Sequence, residues 1–264
     1  MHPDDHHAAG PIGTLEFDAS TARLRADADT FFALVDHVGR TAGHHADTHA
    51  DAAGDMPFAA SGVAVAGRAH PSVRAGLGTV EEPCARLEVE VSTPSGTRLH
   101  EGWLDRVSAL LLDRGDGTHD FIEVDAEFLA VTLVRVTDLQ SRPRLEGRGG
   151  RVHADVLDAL LSCDLLTRED AAEELAGAAS AWPVVAAALR SGRWQVCGID
   201  VAHAVGPTTV TRRVAWLDTP AGLLRIDADA DGPFLAGASA AQVWRSIVGA
   251  LPTDVGLDLL PRTA

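Results

Sequence analysis

A Trp-Leu-Asp triplet that occurs twice is the feature that most constrains the fold of this chain. Trp103-Leu104-Asp105 and Trp216-Leu217-Asp218 lie 113 residues apart, and the leucine pairs Leu110-Leu111 and Leu223-Leu224 keep the same spacing. Tryptophan is a rare residue, and the chain contains five. Two matched triplets with matched downstream leucines therefore indicate an internal duplication, the alternative being two unrelated strands that each begin with an aromatic residue.

The match extends to both sides of the triplets. Upstream, His70-Pro71 and Trp182-Pro183 are 112 residues apart, and downstream Asp125 and Ser239 are 114 residues apart. Small insertions in loops produce such a drift. The two copies cover residues 69–139 and 181–251.

Each copy has the pattern of a short helix, four antiparallel strands and a closing helix. In the first copy a helix begins at Pro71, where proline is favoured at the first helical position. Residues 86–92 then alternate apolar and charged side chains, as a half-buried strand does. Two such units predict an α+β fold, a pseudo-twofold duplication of a helix–antiparallel β-meander–helix unit.

The remaining segments define the other boundaries. Residues 22–40 have the apolar spacing of an amphipathic helix, and residues 41–67 are small and polar, as in a flexible link. The predicted organisation is an N-terminal disordered lead, helix and polar link at 1–68, a first repeat at 69–140, a linker at 141–151, a second repeat with leading helices at 152–252, and a tail at 253–264.

Composition excludes several classes of partner. The 264-residue chain carries a net charge of −16, and its basic residues are all arginine. An acidic chain without a basic stripe argues against nucleic acid and anionic membrane as partners. Three cysteines at distant positions give neither a disulfide framework nor a C-x-x-C metal pattern. With no apolar stretch at the N-terminus or of bilayer length, we expect a cytoplasmic protein without membrane insertion.

Two polar motifs imitate metal sites. His45 and His49, within the cluster from His44 to His49, are four residues apart, a spacing that can bind zinc from one helix face. The run Asp227–Gly232 imitates the start of a calcium loop, but Ala238 stands where the bidentate acid would be needed. We interpret the first as solvated histidines and the second as a polar hairpin turn.

The sequence offers little support for catalysis. Asp105 and Asp218 lie in separate repeats without a matched histidine or nucleophile, and no phosphate-binding or nucleophile-elbow motif occurs. We therefore expect no catalytic residue, no cofactor and no bound metal. Trp103 and Trp216 are expected to pack between sheet and helix.

The second copy resembles the C-terminal signature of the EspG family. Val214 to Gly222, the leucines that follow and a closing helix that ends at Leu251-Pro252 carry the resemblance, together with the order of elements in both copies. Members of this family are cytosolic chaperones of type VII (ESX) secretion in actinobacteria. The resemblance implies a pseudo-twofold α+β fold that binds the helical tip of a PE–PPE pair without catalysis; a WXG-type helical hairpin is the alternative client.

The resemblance also suggests where such a client binds. In the family an extended loop of the first meander contacts the client, and residues 93–98 are the matching loop here, with Pro94 and Arg98 as contacts. Val243, Trp244 and Ile247 of the closing helix are candidates for a second contact or, alternatively, for the core. Two other functions stay open, a self-associating structural module, including a homodimer, and a metal-dependent enzyme that uses the His44–His49 cluster.

Overall fold

The computed structural model describes residues 13–43, 58–65, 68–162, 164–205 and 208–252. Within these residues, eleven strands form one antiparallel sheet, and two short strands form a separate hairpin. The order in the large sheet is β1-β2-β8-β7-β6-β5-β10-β11-β12-β13-β9. The strands are β1 Leu15–Asp18, β2 Arg23–Ala26, β3 Ala64–Val65, β4 Arg68–Ala69, β5 Ala85–Thr93, β6 Gly96–Leu104, β7 Val107–Asp113, β8 His119–Asp125, β9 Arg148–Arg151, β10 Gln195–Val205, β11 Thr208–Thr219, β12 Gly222–Asp229 and β13 Gly232–Ala238.

The helices lie before, between and after the groups of strands. The first, α1, begins where Asp27 accepts a hydrogen bond from the Thr30 backbone N–H at 2.9 Å, and the last begins with a capping box between Ser239 and Gln242. The helices are α1 Ala28–Gly43, α2 Pro71–Glu81, α3 Leu129–Val136, α4 Ala154–Leu160, α5 Leu165–Ala178, α6 Pro183–Arg190 and α7 Ala240–Ala250.

The same succession of elements occurs in both halves. A helix, a four-stranded meander and a closing helix appear as α2, β5–β8 and α3, and again as α6, β10–β13 and α7. The meanders meet through their first strands, because β5 pairs antiparallel with β10. The α+β class is therefore confirmed, whereas descent of the halves from one ancestral unit stays a prediction.

A central apolar cluster covers one face of the sheet and joins the halves. Successive strand residues point to opposite faces, and on β5 and β10 Leu87, Val89 and Ile199 point into this cluster. Helices α3 and α7 close it with Leu133 and Ile247, both fully buried. The shared cluster holds the halves together.

Two separate helical layers cover the opposite face. Helices α1 and α2 cover the first meander, with Phe31 and Leu77 buried against it. Helices α4 to α6 cover the second meander, with Leu175 and Leu189 buried. Between these layers the described residues leave the middle of the sheet uncovered.

Trp103 and Trp216 are not equivalent, contrary to the prediction from their spacing. Both are buried, but Trp103 packs under α1 and α2, whereas Trp216 lies in the central cluster on the opposite face. The cause is the pairing in the two hairpins. Trp103 pairs with Ala109 across five residues, whereas Trp216 pairs with Arg225 across eight. The difference is an odd number of residues, and an odd shift moves a side chain to the other face of the sheet.

Three segment boundaries also differ from the predictions. Residues 23–26, expected to be helical, form β2 and pair with β8, so that Leu24 is buried opposite Phe121. The predicted linker ends in strand β9, which pairs with β13 at the sheet edge. The predicted polar link includes Phe58 and Val63, which are buried under the first helical layer.

Several sequence predictions fall outside the described residues. They concern the N-terminal lead up to residue 12, the histidine cluster at 44–49, Cys163 and the tail at 253–264. In the described ranges, no helix has the length and apolarity needed to cross a bilayer.

Candidate protein-binding surface

The tip of the β5–β6 hairpin, in the first half, is anchored on the helices of the second half. The Ser92 hydroxyl, fully buried, donates to the Leu160 carbonyl at the end of α4. The Thr97 hydroxyl donates to Ser92 Oγ at 3.2 Å, and Arg168 Nη1 of α5 donates to the Thr93 carbonyl at 3.3 Å. The turn at Pro94 is therefore held in a defined position against the second half.

A pocket of about 460 Å³ lies between this turn and the helices. Pro94 forms one wall, and the first turn of α5 and the end of α6 form the others, with Leu189 and Trp194 behind them. Pro94 also approaches Gly192, where an added Cβ would be 3.7 Å from its ring. The pocket is lined by apolar walls with charged groups of α5 and α6 among them, a combination typical of binding sites.

Two exposed leucines begin α5: Leu165 lines this pocket, and Leu166 is the next residue. Asp164 caps α5 by accepting a hydrogen bond from the Thr167 backbone N–H at 3.0 Å, and hydrogen bonds from Thr167 lower the pKa of Asp164. The helix buries the face of Ala172 and Leu175, which leaves Leu165 49% and Leu166 69% exposed. Adjacent exposed leucines beside a pocket are typical of a protein-binding surface.

The uncovered middle of the sheet has a different chemistry. Glu101, Glu88 and Asp200 pair side by side across β6, β5 and β10, and we call this row with Glu90 the acidic strip. Arg213 bonds Asp200 at 2.9 Å and Glu90 at 3.1 Å. Partial burial raises the pKa of Glu90 and of Asp200. Like charges directly opposite on neighbouring strands are destabilising, so a basic partner would be favoured here.

A second apolar groove lies on the other face, beside α3. It has a volume of about 670 Å³ and is lined by Leu112, Ile122 and Phe128, whose side chain is 54% exposed. This groove is more open to solvent than the pocket at Pro94, because it runs along the sheet surface beside a single helix. No residue of the hairpin tip lines it.

The structure does not gather the five residues that the sequence suggested for partner binding. Pro94 lines the pocket, whereas Arg98 is exposed on the other face of the hairpin, since its cross-strand partner Val91 points into the central cluster. Val243 and Ile247 are fully buried against the sheet, so they belong to the core rather than to a partner-facing surface. Trp244 is partly exposed on α7.

The paired aspartates have unrelated environments. Asp218 is buried and forms an ion pair with Arg142 at 2.8 Å; burial raises the pKa of Asp218 although Arg142 opposes that effect. Asp105 lies at a turn and accepts a hydrogen bond from Cys84 Sγ at 3.4 Å. The two carboxylates therefore do not form one acid–base site.

The other chemical motifs have structural roles where they are described. Asp229, in the calcium-like run, pairs with Arg148 and Arg151 at the β9 edge of the sheet. Burial raises the pKa of Cys197 to about 12, so its thiol is a poor nucleophile. In the described ranges, no group of three or more His, Cys, Asp or Glu side chains is arranged to hold a metal ion.

Comparison with known proteins gives a structural likeness. The fold is similar to that of the Mycobacterium tuberculosis type VII secretion system chaperone EspG5, solved in complex with the PE25–PPE41 dimer. The TM-score is 0.56 at 12% sequence identity, and the match covers 91% of this chain and 97% of that chain. No family model and no curated protein sequence matches the chain. The chain thus has an EspG-like fold, as the sequence resemblance predicted.

Proposed function

We propose that this protein is a non-catalytic, cytoplasmic chaperone or adaptor for type VII secretion that binds the helical end of a PE–PPE-like pair. The observation that carries the proposal is the pair of exposed leucines, Leu165 and Leu166, beside a pocket walled by the tip of the first hairpin. A hairpin fixed against a helical layer presents a preformed surface, which lowers the entropy lost when a partner binds. The likeness to a chaperone solved with a PE–PPE dimer supports the choice of client.

The same proposal assigns roles to the hairpin residues. Pro94 contacts the client directly, because it already forms a wall of the pocket. Arg98 is exposed on the other side of the same tip and contacts the side of the client. Trp244, which is partly exposed on α7, is the outermost contact on that side. The apolar tip of a helical pair would otherwise self-associate, and covering it until secretion is the chaperone's action.

A matched pair of variants tests this proposal. Leu166 and Val184 are equally exposed, 69% and 70%, but lie near opposite ends of the α5–α6 hairpin. Leu166→Ser is expected to weaken binding by about tenfold, as removal of a central apolar contact does, whereas Val184→Ser is not. Both are surface changes, so the melting temperatures should remain close to that of the wild type.

The measurement is co-expression of each variant with the PE–PPE pairs and WXG-type proteins of the source genome, followed by calorimetry on the purified complex. Selective loss with Leu166→Ser supports the assigned surface, and the class of protein that binds distinguishes the two clients. Equal affinity of both variants for a bound pair would refute the surface. Failure of the wild type to bind any of these proteins would refute the function.

The β9 edge of the sheet does not favour the self-associating alternative. Strand β9 carries Arg148 and Arg151 at the edge of the large sheet. Charged side chains on an edge strand oppose pairing with a second chain.

A further inference from the structure

Arg168 is a buried arginine; within the described residues no carboxylate forms an ion pair with it, although the Asp164 carboxylate attracts it at longer range. Arg168 lies in the first turn of α5, and only 5% of the residue is exposed. The one hydrogen bond of its side chain within the described residues is the 3.3 Å contact from Nη1 to the Thr93 carbonyl, and its Nε is buried with no acceptor. A guanidinium has five N–H donors and is always charged, so most of its donors have no acceptor among the described residues.

The position of Arg168 is unfavourable in the free protein. A buried charge is destabilising unless it is paired and hydrogen-bonded. In addition, the first turn of a helix is the positive end of its dipole, which disfavours a cation. Both penalties would be relieved by an anion placed at the first turn of α5, and both therefore point to a ligand that carries negative charge.

The pocket beside the hairpin turn is where such a group would bind. Arg168 lines this pocket, and the apolar walls around it include Leu165, Leu189 and Trp194. Such walls suit the methylene groups of an aliphatic side chain, and a guanidinium binds a carboxylate with two parallel hydrogen bonds.

The other charges of the pocket limit the ligand to a single carboxylate. Glu169 and Glu173 also line it, and Glu173 is paired with Arg190 at 2.9 Å. Neither glutamate forms an ion pair with Arg168 within the described residues. The two arginines and two glutamates of the lining cancel, which makes the pocket a poor site for a multiply charged anion such as phosphate.

We propose that the pocket at Arg168 binds an acidic side chain, glutamate or aspartate, that projects from the tip of the helical client. This inference rests on the proposed function for the identity of the client, but the carboxylate site can be tested without one. It adds a specificity determinant to the apolar contact at Leu165 and Leu166. A client lacking the acidic residue would leave Arg168 buried and unpaired, and so would be discriminated against.

The direct test uses small probes and the full chain. N-acetyl-glutamate amide carries only a side-chain carboxylate, and N-acetyl-glutamine amide is its neutral match; inorganic phosphate is the third probe. We expect only the glutamate probe to shift the NMR resonances of the Arg168 Nε–H and the Trp194 indole. These shifts should reach a plateau as the probe concentration rises. Equal shifts with the glutamine probe, stronger binding of phosphate or no shift with any probe would overturn the inference.

Arg168→Met separates a binding role from a structural one. The substitution removes an unpaired buried charge but also the hydrogen bond to the Thr93 carbonyl, so the two effects oppose each other and the melting temperature is expected to stay within about 4 °C of the wild type while glutamate-probe binding falls at least tenfold. Arg193→Met removes the same charge next to the pocket and should leave probe binding unchanged. A fall in melting temperature with unchanged probe binding would make Arg168 a structural residue and refute the site.

The same variants keep this inference distinct from the proposed function. If the glutamate probe binds but no helical pair does, the pocket stands and the chaperone role fails. If a helical pair binds the wild type and Arg168→Met equally well, the chaperone role stands and the acidic anchor fails.

Discussion

The two halves of the molecule have the same order of elements, yet corresponding residues differ in environment. In the second half Trp216 is completely buried in the cluster that both halves share, whereas in the first half Trp103 packs under α1 and α2 alone. Asp218 is buried and ion-paired, whereas Asp105 lies at a turn. A repeated topology therefore fixes where strands lie, while the pairing of each hairpin decides which side chains enter the core.

The first hairpin of the first half also contacts the second half. The tip of β5–β6 is bonded to the end of α4 and to α5 in the other half. This contact creates the pocket at Pro94 and places it next to Leu165 and Leu166. The proposed binding surface thus depends on an interaction between the halves, which neither half provides by itself.

The largest expected effect separates the two tryptophans. Trp216→Ala should lower the free energy of unfolding by about 3 to 5 kcal/mol, as for other large-to-small changes in a core, and it should weaken both meanders. Trp103→Ala should weaken chiefly the first meander and its helices. Urea denaturation combined with residue-resolved hydrogen exchange measures both effects.

Trp216→Phe is the control for this comparison. It keeps most of the apolar contact and removes an indole N–H that is buried without a partner, so its effect should be much smaller than that of alanine. Loss of hydrogen-exchange protection confined to the second meander in Trp216→Ala would show that the central cluster does not join the halves.

The second comparison concerns the two aspartates. Arg142→Met leaves the buried Asp218 carboxylate without its partner and should lower the free energy of unfolding by about 2 kcal/mol, less than for a fully buried pair because Arg142 is partly exposed. Asp105→Asn should stay within about 0.5 kcal/mol of the wild type. Chemical denaturation at pH 7 measures both free energies of unfolding. Equal decreases for the two variants would contradict the difference in environment between Asp218 and Asp105.

The smallest expected effect lies where the halves meet, in the acidic strip. Glu88 pairs with Asp200 across the junction and with Glu101 on its other side. Glu88→Gln should raise the free energy of unfolding at pH 7 by about 0.5 kcal/mol because it removes like-charge repulsion.

The stabilisation by Glu88→Gln should shrink as the pH falls. Burial raises the pKa of Glu90 and Asp200 in the folded protein. Both carboxylates therefore bind a proton more tightly in the folded state than in the unfolded state. The wild type therefore gains stability as the pH falls from 7 towards the ordinary carboxylate pKa of about 4.5, and the repulsion that the variant removes disappears. Thermal melts at both pH values measure this, and a gain that persists at low pH would exclude repulsion as its cause.

Much of the fold could be predicted from local sequence patterns. Proline at the start of α2 and α6, alternation along β5 and the turn residues between strands are local signals, and each predicted element of the two meanders is present. The position of β2 could not be read from its four residues, because their strand conformation depends on pairing with β8, which begins 93 residues after β2 ends.

The binding surface was less predictable than the fold. Residues 93–98 were identified through the family resemblance, but the contact of Ser92 with Leu160 joins residues 68 positions apart, and no local pattern reports it. The exposed leucines had a signal that could have been used, since Leu165 and Leu166 directly follow the helix cap at Asp164. Burial of Arg168 had none, because arginine is mostly exposed in proteins.

The most direct test of the proposed function is hydrogen–deuterium exchange of the protein alone and in complex with its helical client. We expect protection on binding at residues 93–98 and 164–172, and unchanged exchange at residues 183–186 at the start of α6. Protection confined to the acidic strip or to the groove beside α3, with exchange at 93–98 and 164–172 unaltered, would contradict the assignment of the client to this surface.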